Sequence, residues 1–190
     1  LRVVEELARH DFGFAFSLVN HHNATVRVAA ADASLAARLV PPMLAGELVG
    51  CAAYTEPDHG SDLAHLQTTA RKVGAGWLLN GRKTWVTNGA AAGVAMTLAQ
   101  TDPGSGGRGL ATFVVEASLP GFVREAPISL EAVPAIGLGG FTLRDCLVSD
   151  AALLDPPGAS FRSAMDSPLH RNLHDAVLSG FVLRWDIQDL

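Results

Sequence analysis

The stretch YTEPDHGSDL, residues 54–63, directly follows the apolar run LVGCAA at 48–53 and marks the point where the chain changes character. A plain solvated turn needs only two or three turn-forming residues, and this stretch contains more polar groups than that. Such a loop can present several backbone N–H groups and two hydroxyls to an anion or a heterocycle. These residues alone are equally compatible with a polar turn in which Ser61 or Asp62 caps the following element.

A second polar segment, NGRKTWVTNG, occupies residues 80–89. Its first two residues, Asn80-Gly81, lie between WLL and RKTWVT and predict a two-residue β-hairpin turn, because both tolerate positive φ. Trp85 and Thr87 are two residues apart, so they are predicted to share one face of a strand. An indole beside a hydroxyl can pack against a flat aromatic ligand and hydrogen-bond it. For a lone Trp, a place over the core is the alternative interpretation.

The sequence on either side of these two segments predicts that the chain has three parts. Residues 1–47 are helical in character, with Pro41-Pro42 expected to break or restart a helix and Gly46 to end one. Residues 48–155 contain short apolar runs between Gly and Asn turns, and strands are predicted at 93–100, 110–116, 128–132 and 141–148. Residues 156–190 predict a short C-terminal helical tail. The expected fold is therefore α+β, with N-terminal helices, an antiparallel β-barrel or sandwich domain, and that tail.

Composition excludes several classes of protein. The chain has 190 residues, of which 48% are hydrophobic and 17% charged, and this composition predicts a globular core. A net charge of −5 without a Lys/Arg block argues against nucleic-acid binding. The sequence contains no run of 18 apolar residues, so no membrane span is predicted, and the first residues do not resemble a signal peptide. Cys51 and Cys146 are expected to be buried free thiols, which is compatible with a reducing cytoplasm.

In their order and spacing, the two polar segments resemble the signatures of the acyl-CoA dehydrogenase family of flavoproteins. The family's TEPxxGSD signature matches residues 55–62, and its (L/I)NGxKxW(I/V)TN pattern matches residues 79–88. TTA at 68–70, GLATFVV at 109–115 and PGF at 120–122 resemble further strands of the family. The resemblance extends from about residue 12 to residue 165, so chance is a poor explanation for it.

This resemblance implies that FAD binds against the β-domain. The implied contacts are made by six residues, Tyr54, Thr55, Gly60, Ser61, Trp85 and Thr87. Tyr54 and Thr55 would meet the edge of the isoalloxazine ring, and Gly60 and Ser61 would approach the pyrophosphate. The Trp85 indole would cover the ring, and the Thr87 hydroxyl would hydrogen-bond near its reactive nitrogen. Glu56 and Asp62 are expected to hold backbone, because carboxylates beside an anionic cofactor seldom touch phosphate.

The activity implied is α,β-dehydrogenation of an acyl thioester, which is either an acyl-CoA or an acyl group on a carrier protein. The family's catalytic Glu lies in a C-terminal helical domain, and no residue here is assigned to that role. The late carboxylates, Asp166, Asp175, Asp186 and Asp189, are expected to decorate helices. The tail is compatible with a fragment, an internal deletion or omitted residues.

Two alternatives remain open from the sequence, a non-catalytic binding module and a flavin-dependent monooxygenase relative. A missing helical domain would leave a face of the β-domain uncovered, so a homo-oligomer or a partner chain is expected. His170 and His174 are four residues apart, a spacing that suits a metal. No third ligand clusters with them in the sequence, so no metal site is predicted.

Overall fold

The N-terminal helices follow from clear capping signals. The computed structural model describes residues 2–60, 62–159 and 172–180. Its helices are α1 (Arg2–His10), α2 (Phe12–Ala29), α3 (Ala33–Leu44) and α4 (172–180). The carboxylate of Asp11 accepts the Phe14 N–H at 2.9 Å at the start of α2, and Asp32 does the same for Ser34 at 3.0 Å before α3. Each cap satisfies an N–H that the first helical turn leaves unpaired.

The end of α3 corrects one expectation and confirms another. The helix continues through Pro41 and Pro42 instead of breaking there. Both prolines lie in its last turns, where the carbonyls of Pro41 and Pro42 still accept from Ala45 and Glu47 at 3.0 Å. Gly46 follows the helix with φ of 75°, the left-handed conformation typical of a residue just past a helix end.

All strands of the described chain lie between Gly50 and Asp155. They are β1 (Gly50–Ala53), β2 (Thr69–Val73), β3 (Gly76–Val86), β4 (Val94–Gln100), β5 (Leu110–Glu116), β6 (Phe122–Arg124), β7 (Gly139–Ser149) and β8 (Leu153–Asp155). The strands predicted at 93–100, 110–116 and 141–148 are confirmed as β4, β5 and the centre of β7. The strand predicted at 128–132 is wrong, because that segment is irregular and β7 pairs with β6 instead.

The strands form one mixed sheet in the order β6-β7-β3-β2-β4-β5-β8, with β1 added beside β4. Within the described residues the sheet does not close on itself, so the expected barrel is wrong. The sheet is also not wholly antiparallel, since β1 runs parallel to β4 over four residues. A parallel pair needs a long crossover, and the forty residues between β1 and β4 contain both polar segments. Strand order is thus decided by long-range pairing that local patterns do not encode.

The predicted hairpin turn at Asn80-Gly81 is also wrong. The β2–β3 turn is Gly74-Ala75, and Asn80-Gly81 lies inside β3 at a register shift against β7. The Asn80 amide donates to the Asp145 carboxylate at 3.0 Å and accepts the Asp145 N–H at 2.8 Å, which holds this β-bulge across the strands. A Cβ on Gly81 would lie 2.4 Å from the Thr68 hydroxyl oxygen, so the close approach requires glycine.

The main core lies between the strands, and a second apolar cluster joins the helices to them. Phe113, Phe141 and Leu79 are fully buried in the first cluster, and Met43 and Val28 in the second. Cys51 and Cys146 are buried free thiols, as predicted. Burial raises the pKa of Cys51 to about 12. None of the described helices is long and apolar enough to cross a membrane.

Candidate functional site

The two polar segments, far apart in sequence, meet at the C-terminal end of β3. The Thr84 N–H donates to the Thr55 carbonyl at 3.1 Å, which joins the strand to the first segment just after β1. The Lys83 ammonium donates to the Tyr54 carbonyl at 3.3 Å and to the Glu56 carboxylate at 2.8 Å. Three contacts from adjacent residues of β3 therefore hold residues 54–56 in place.

The ion pair at the centre of this junction is buried. Lys83 is 0% exposed and Glu56 is 5% exposed. Burial lowers the pKa of Lys83 to about 8, and the facing carboxylate opposes that shift. Burial alone would raise the pKa of Glu56, but the Lys83 ammonium and the Thr68 and Gln67 donors outweigh it and lower that pKa. Both groups are therefore charged at neutral pH, and the pair contributes no net charge to its surroundings.

Glu56 also organises the loop that follows it. Its two oxygens accept the Gln67 N–H at 2.6 Å and the Thr68 N–H at 2.9 Å. The prediction that Glu56 holds backbone is confirmed. Asp62 instead contacts the exposed His65 ring, with 2.7 Å between its oxygen and Nδ1. Glu56 therefore accepts three hydrogen bonds, one of them from the Lys83 ammonium, and acts as a structural carboxylate.

Trp85 is the unusual residue of β3. Its φ is 55°, a left-handed conformation that a bulky side chain rarely adopts. The register against β7 shifts between Lys83 and Val86, which makes a second bulge around it. The indole is 57% exposed, although Lys83, Thr84 and Val86 are buried. Such strain persists only where neighbouring contacts impose it, and it concentrates at functional sites.

Thr87 is not on the strand face predicted for it. β3 ends at Val86, and residues 87–90 form a turn, so Trp85 and Thr87 do not share a face of β3. The reason is the positive φ of Trp85, which ends the two-residue alternation that the prediction assumed. Thr87 is half-buried at the start of the turn.

Asn88 holds the turn at residues 87–90 in place through its hydrogen bonds. Its side-chain amide donates to the Ser17 carbonyl at 2.9 Å and to the Gly50 carbonyl at 3.2 Å, and its oxygen accepts the Ser17 hydroxyl. Its own N–H donates to the Ile136 carbonyl at 3.1 Å. With φ of 66°, Asn88 completes the change of direction after β3. Asn88 therefore ties the turn to α2, to β1 and to the loop before β7.

The remaining predicted residues lie in different surroundings. The Tyr54 hydroxyl accepts from Arg27 at 3.0 Å, and its ring packs against Leu63 and Leu66, so only its backbone faces the junction. Burial raises the pKa of Tyr54. A Cβ at Gly60 would meet nothing within 4 Å, which leaves open space above that loop. Ser61 lies outside the described residues.

Sequence reasoning missed two residues that build this site, Lys83 and Asn88. A lysine in a strand is ordinarily exposed, and β3 mixes buried and exposed positions, so no local signal marks Lys83 as buried. Asn88 belongs to the WVTN part of the second segment, and Asn followed by Gly is a common signal for positive φ. Within the described ranges, no group of three or more His, Cys, Asp or Glu side chains is arranged to hold a metal ion. Asp175 is exposed on α4, and the other late carboxylates and His170 lie outside those ranges.

Comparison with known sequences gives consistent matches. Isovaleryl-CoA dehydrogenase of Arabidopsis thaliana is 30% identical over 157 residues, which cover 82% of this chain and 38% of that protein. Human short-chain specific acyl-CoA dehydrogenase is 33% identical over 128 residues, which cover 67% of this chain and 31% of that protein. The chain thus spans about a third of the length of these curated relatives.

Solved structures share the same fold. An FAD complex of PigA matches with a TM-score of 0.86 and 26% identity, covering 95% of this chain and 49% of that one. Butyryl-CoA dehydrogenase from Megasphaera elsdenii matches with a TM-score of 0.86 and 27% identity, covering 95% and 48%. The model of the acyl-CoA dehydrogenase middle domain matches residues 51–146, the range that contains both polar segments and the junction between them. The chain belongs to the acyl-CoA dehydrogenase family.

Proposed function

We propose that this chain provides one wall of an FAD site in an enzyme that dehydrogenates an acyl thioester between its α and β carbons. The observation that carries the proposal is the exposed indole of Trp85, held at positive φ beside the Thr55 backbone. Family membership and the FAD complex of a structural neighbour support the choice of flavin. Because the chain spans only part of the length of its relatives, the dehydrogenation is proposed for the whole enzyme to which this wall belongs.

The residues present fit such a cofactor. The exposed indole offers a flat apolar surface for an aromatic ring, and the hydroxyl of half-buried Thr87 lies two residues away. The open space at Gly60 allows close approach of a phosphate group to the backbone. The Glu56 carboxylate is neutralised by Lys83, so it does not repel an anionic group bound nearby. The proposed contacts remain those of Tyr54, Thr55, Gly60, Ser61, Trp85 and Thr87.

When bound, FAD supplies the two-electron acceptor for the oxidation. The chain's own contribution is to orient the ring by Trp85, to offer the Thr55 N–H and the Thr87 hydroxyl to its edge, and to exclude water from one face. Removal of the α-proton also needs a base. Glu56 does not fill that role, since it already accepts from Lys83 and two N–H groups. The base is therefore expected from another part of the enzyme.

Acyl-CoA is the proposed substrate, and an acyl group on a carrier protein is the alternative. The curated relatives named above are dehydrogenases of acyl-CoA esters, which favours the first. We also propose that the chain works as a homo-oligomer or with a partner chain. Three apolar side chains of the sheet are exposed, Val73 on β2, Val123 on β6 and Leu147 on β7, and a second surface can cover them. Elution as a stable monomer in size-exclusion chromatography would contradict this.

The FAD site is tested by the visible absorbance spectrum of protein that has been mixed with FAD and then desalted. We expect retained flavin in the wild type and a loss of affinity of about 10- to 100-fold in Trp85→Ala, the range found when a stacking aromatic is removed. Leu44→Ala is the control, because Leu44 is 74% exposed and lies at the end of α3. Equal retention by Trp85→Ala and the wild type would remove the indole from the site.

The reaction is tested on flavin-loaded protein by adding an acyl-CoA or an acyl-carrier thioester without oxygen. Bleaching of the flavin band by one of the two identifies the substrate class. A yellow protein that responds to neither would favour a flavin-binding relative without this activity. A colourless protein would favour the non-catalytic binding module.

A further inference from the structure

Lys83 does more than neutralise Glu56, because it also reaches the backbone of the first polar segment. Its ammonium lies 3.3 Å from the Tyr54 carbonyl oxygen and 2.8 Å from the Glu56 carboxylate. Lys83 is fully buried, so water does not compete for these contacts or screen them. A hydrogen bond from an ionised donor is about twice as strong as one between neutral groups.

The peptide that receives this bond has a second end. Tyr54 and Thr55 are joined by a trans peptide, in which the C=O and the N–H point in opposite directions. Because the carbonyl faces Lys83, the Thr55 N–H points away from it. That N–H donates to no other residue in the described part of the chain, although the Thr55 carbonyl is engaged by Thr84. Thr55 is half-buried, so part of this residue remains accessible to a ligand.

We propose that Lys83 is a positioning residue that polarises the Tyr54–Thr55 peptide and so makes the Thr55 N–H a stronger donor to the bound cofactor. Withdrawal of electron density at the carbonyl increases the partial positive charge on the amide hydrogen, since the two groups share one conjugated plane. This inference rests on the proposed FAD site. It adds a role for a buried side chain that does not itself reach the ligand.

The polarised N–H favours whichever form of the ligand has more negative charge at its edge. A two-electron-reduced flavin has more negative charge on its ring than the oxidised form, so it gains more from this donor. We expect Lys83 to increase the preference for the reduced form about tenfold, which corresponds to about 30 mV for a two-electron couple. A role limited to holding the loop in place would not produce this difference between the two forms.

The variants must not leave a buried charge without its partner. Lys83→Met alone would do so for Glu56. The useful comparison is the wild type against Lys83→Met/Glu56→Gln, because the double variant removes both charges of the buried pair and leaves neither group without its partner. Lys72→Met is the outer control, since Lys72 forms an exposed ion pair with Asp150 near the opposite end of β3.

The first measurement uses the protein without added cofactor and records amide signals by NMR at pH 6. In the double variant we expect the Thr55 nitrogen signal to move upfield relative to the wild type, and its N–H to exchange more slowly with water. The Thr84 N–H, which donates to the Thr55 carbonyl, is the internal reporter of loop structure. An unchanged Thr55 signal would overturn the proposal, as would equal loss of protection at Thr55 and Thr84.

The second measurement is the midpoint reduction potential of FAD bound to the same proteins. The double variant is expected to have a potential about 30 mV below that of the wild type, a tenfold loss of preference for the reduced form. Lys72→Met should match the wild type. Equal potentials in the wild type and the double variant would overturn the effect on the cofactor. If the wild type retains no FAD, the proposed function fails, and the NMR comparison still decides whether Lys83 polarises the peptide.

Discussion

A tryptophan and a nearby lysine lie at each end of β3, in opposite arrangements. At its start, Trp77 packs against the core with its ring 5.4 Å from that of Phe113, and the neighbouring Lys72 pairs with Asp150 at the surface. At its end, Trp85 is 57% exposed, and Lys83 is fully buried. The first end follows the usual distribution, in which aromatic groups are covered and charges are solvated. The second end reverses both.

The reversal shows that the C-terminal end of β3 has an arrangement that stability alone does not explain. Exposing an indole and burying an ammonium are both unfavourable, and Trp85 adds backbone strain at φ of 55°. Each of these costs is offset by contacts with the first polar segment or by the anchoring of Asn88. An arrangement maintained against such costs indicates a binding surface, which is the basis of the function proposed for this end.

The largest difference between the two ends is expected from their lysines. Lys83→Met leaves the Glu56 carboxylate buried without its cation, so we expect the free energy of unfolding to fall by about 3–5 kcal/mol. Lys72→Met removes an exposed ion pair and should change it by less than about 1 kcal/mol. Urea unfolding monitored by circular dichroism measures both. Equal midpoints for the two variants would mean that the buried pair does not stabilise the fold.

For the tryptophans, too, loss of the more buried residue should lower the free energy of unfolding more than loss of the exposed one, but the difference should be smaller. Trp77→Ala removes packing against Phe113 and the core, and a loss of about 3 kcal/mol in unfolding free energy is expected. Trp85→Ala should cost less than about 1 kcal/mol, because the indole is more than half exposed. Thermal unfolding of the protein without flavin gives both values. A larger loss for Trp85→Ala would show that its role is structural.

The dependence of stability on pH gives the finest test of the buried pair. The pKa of Glu56 is lowered from its ordinary 4.5, so the folded protein binds this proton less readily than the unfolded chain. The resulting stabilisation is present above pH 4.5 and is lost as the pH falls through the lower folded-state pKa. Wild-type unfolding free energy should therefore fall more steeply below pH 4.5 than that of Lys83→Met/Glu56→Gln. Parallel profiles would mean that other carboxylates account for the acid sensitivity.

The candidate site was predictable in part, and the limits have physical causes. The residue types and spacing of TEPxxGSD and WVTN identified the two segments, and the expectation that a carboxylate beside an anionic cofactor holds backbone identified Glu56 as structural. Lys83 was missed because its burial depends on Glu56, which lies 27 residues away in sequence. The direction of the Tyr54 side chain was also not predictable from the sequence, because it depends on Arg27 in α2.

The sequence by itself determined the elements that depend on neighbouring residues. These include the helices with their Asp caps, the strands β4, β5 and β7, and the two family signatures. Only the tertiary structure decided how those elements combine. Asn80-Gly81 became a bulge because Asn80 hydrogen-bonds Asp145 across the strands, and the sheet became mixed because β1 joined β4 in parallel. Local propensities act over a few residues, whereas these outcomes depend on partners 44 and 65 positions away.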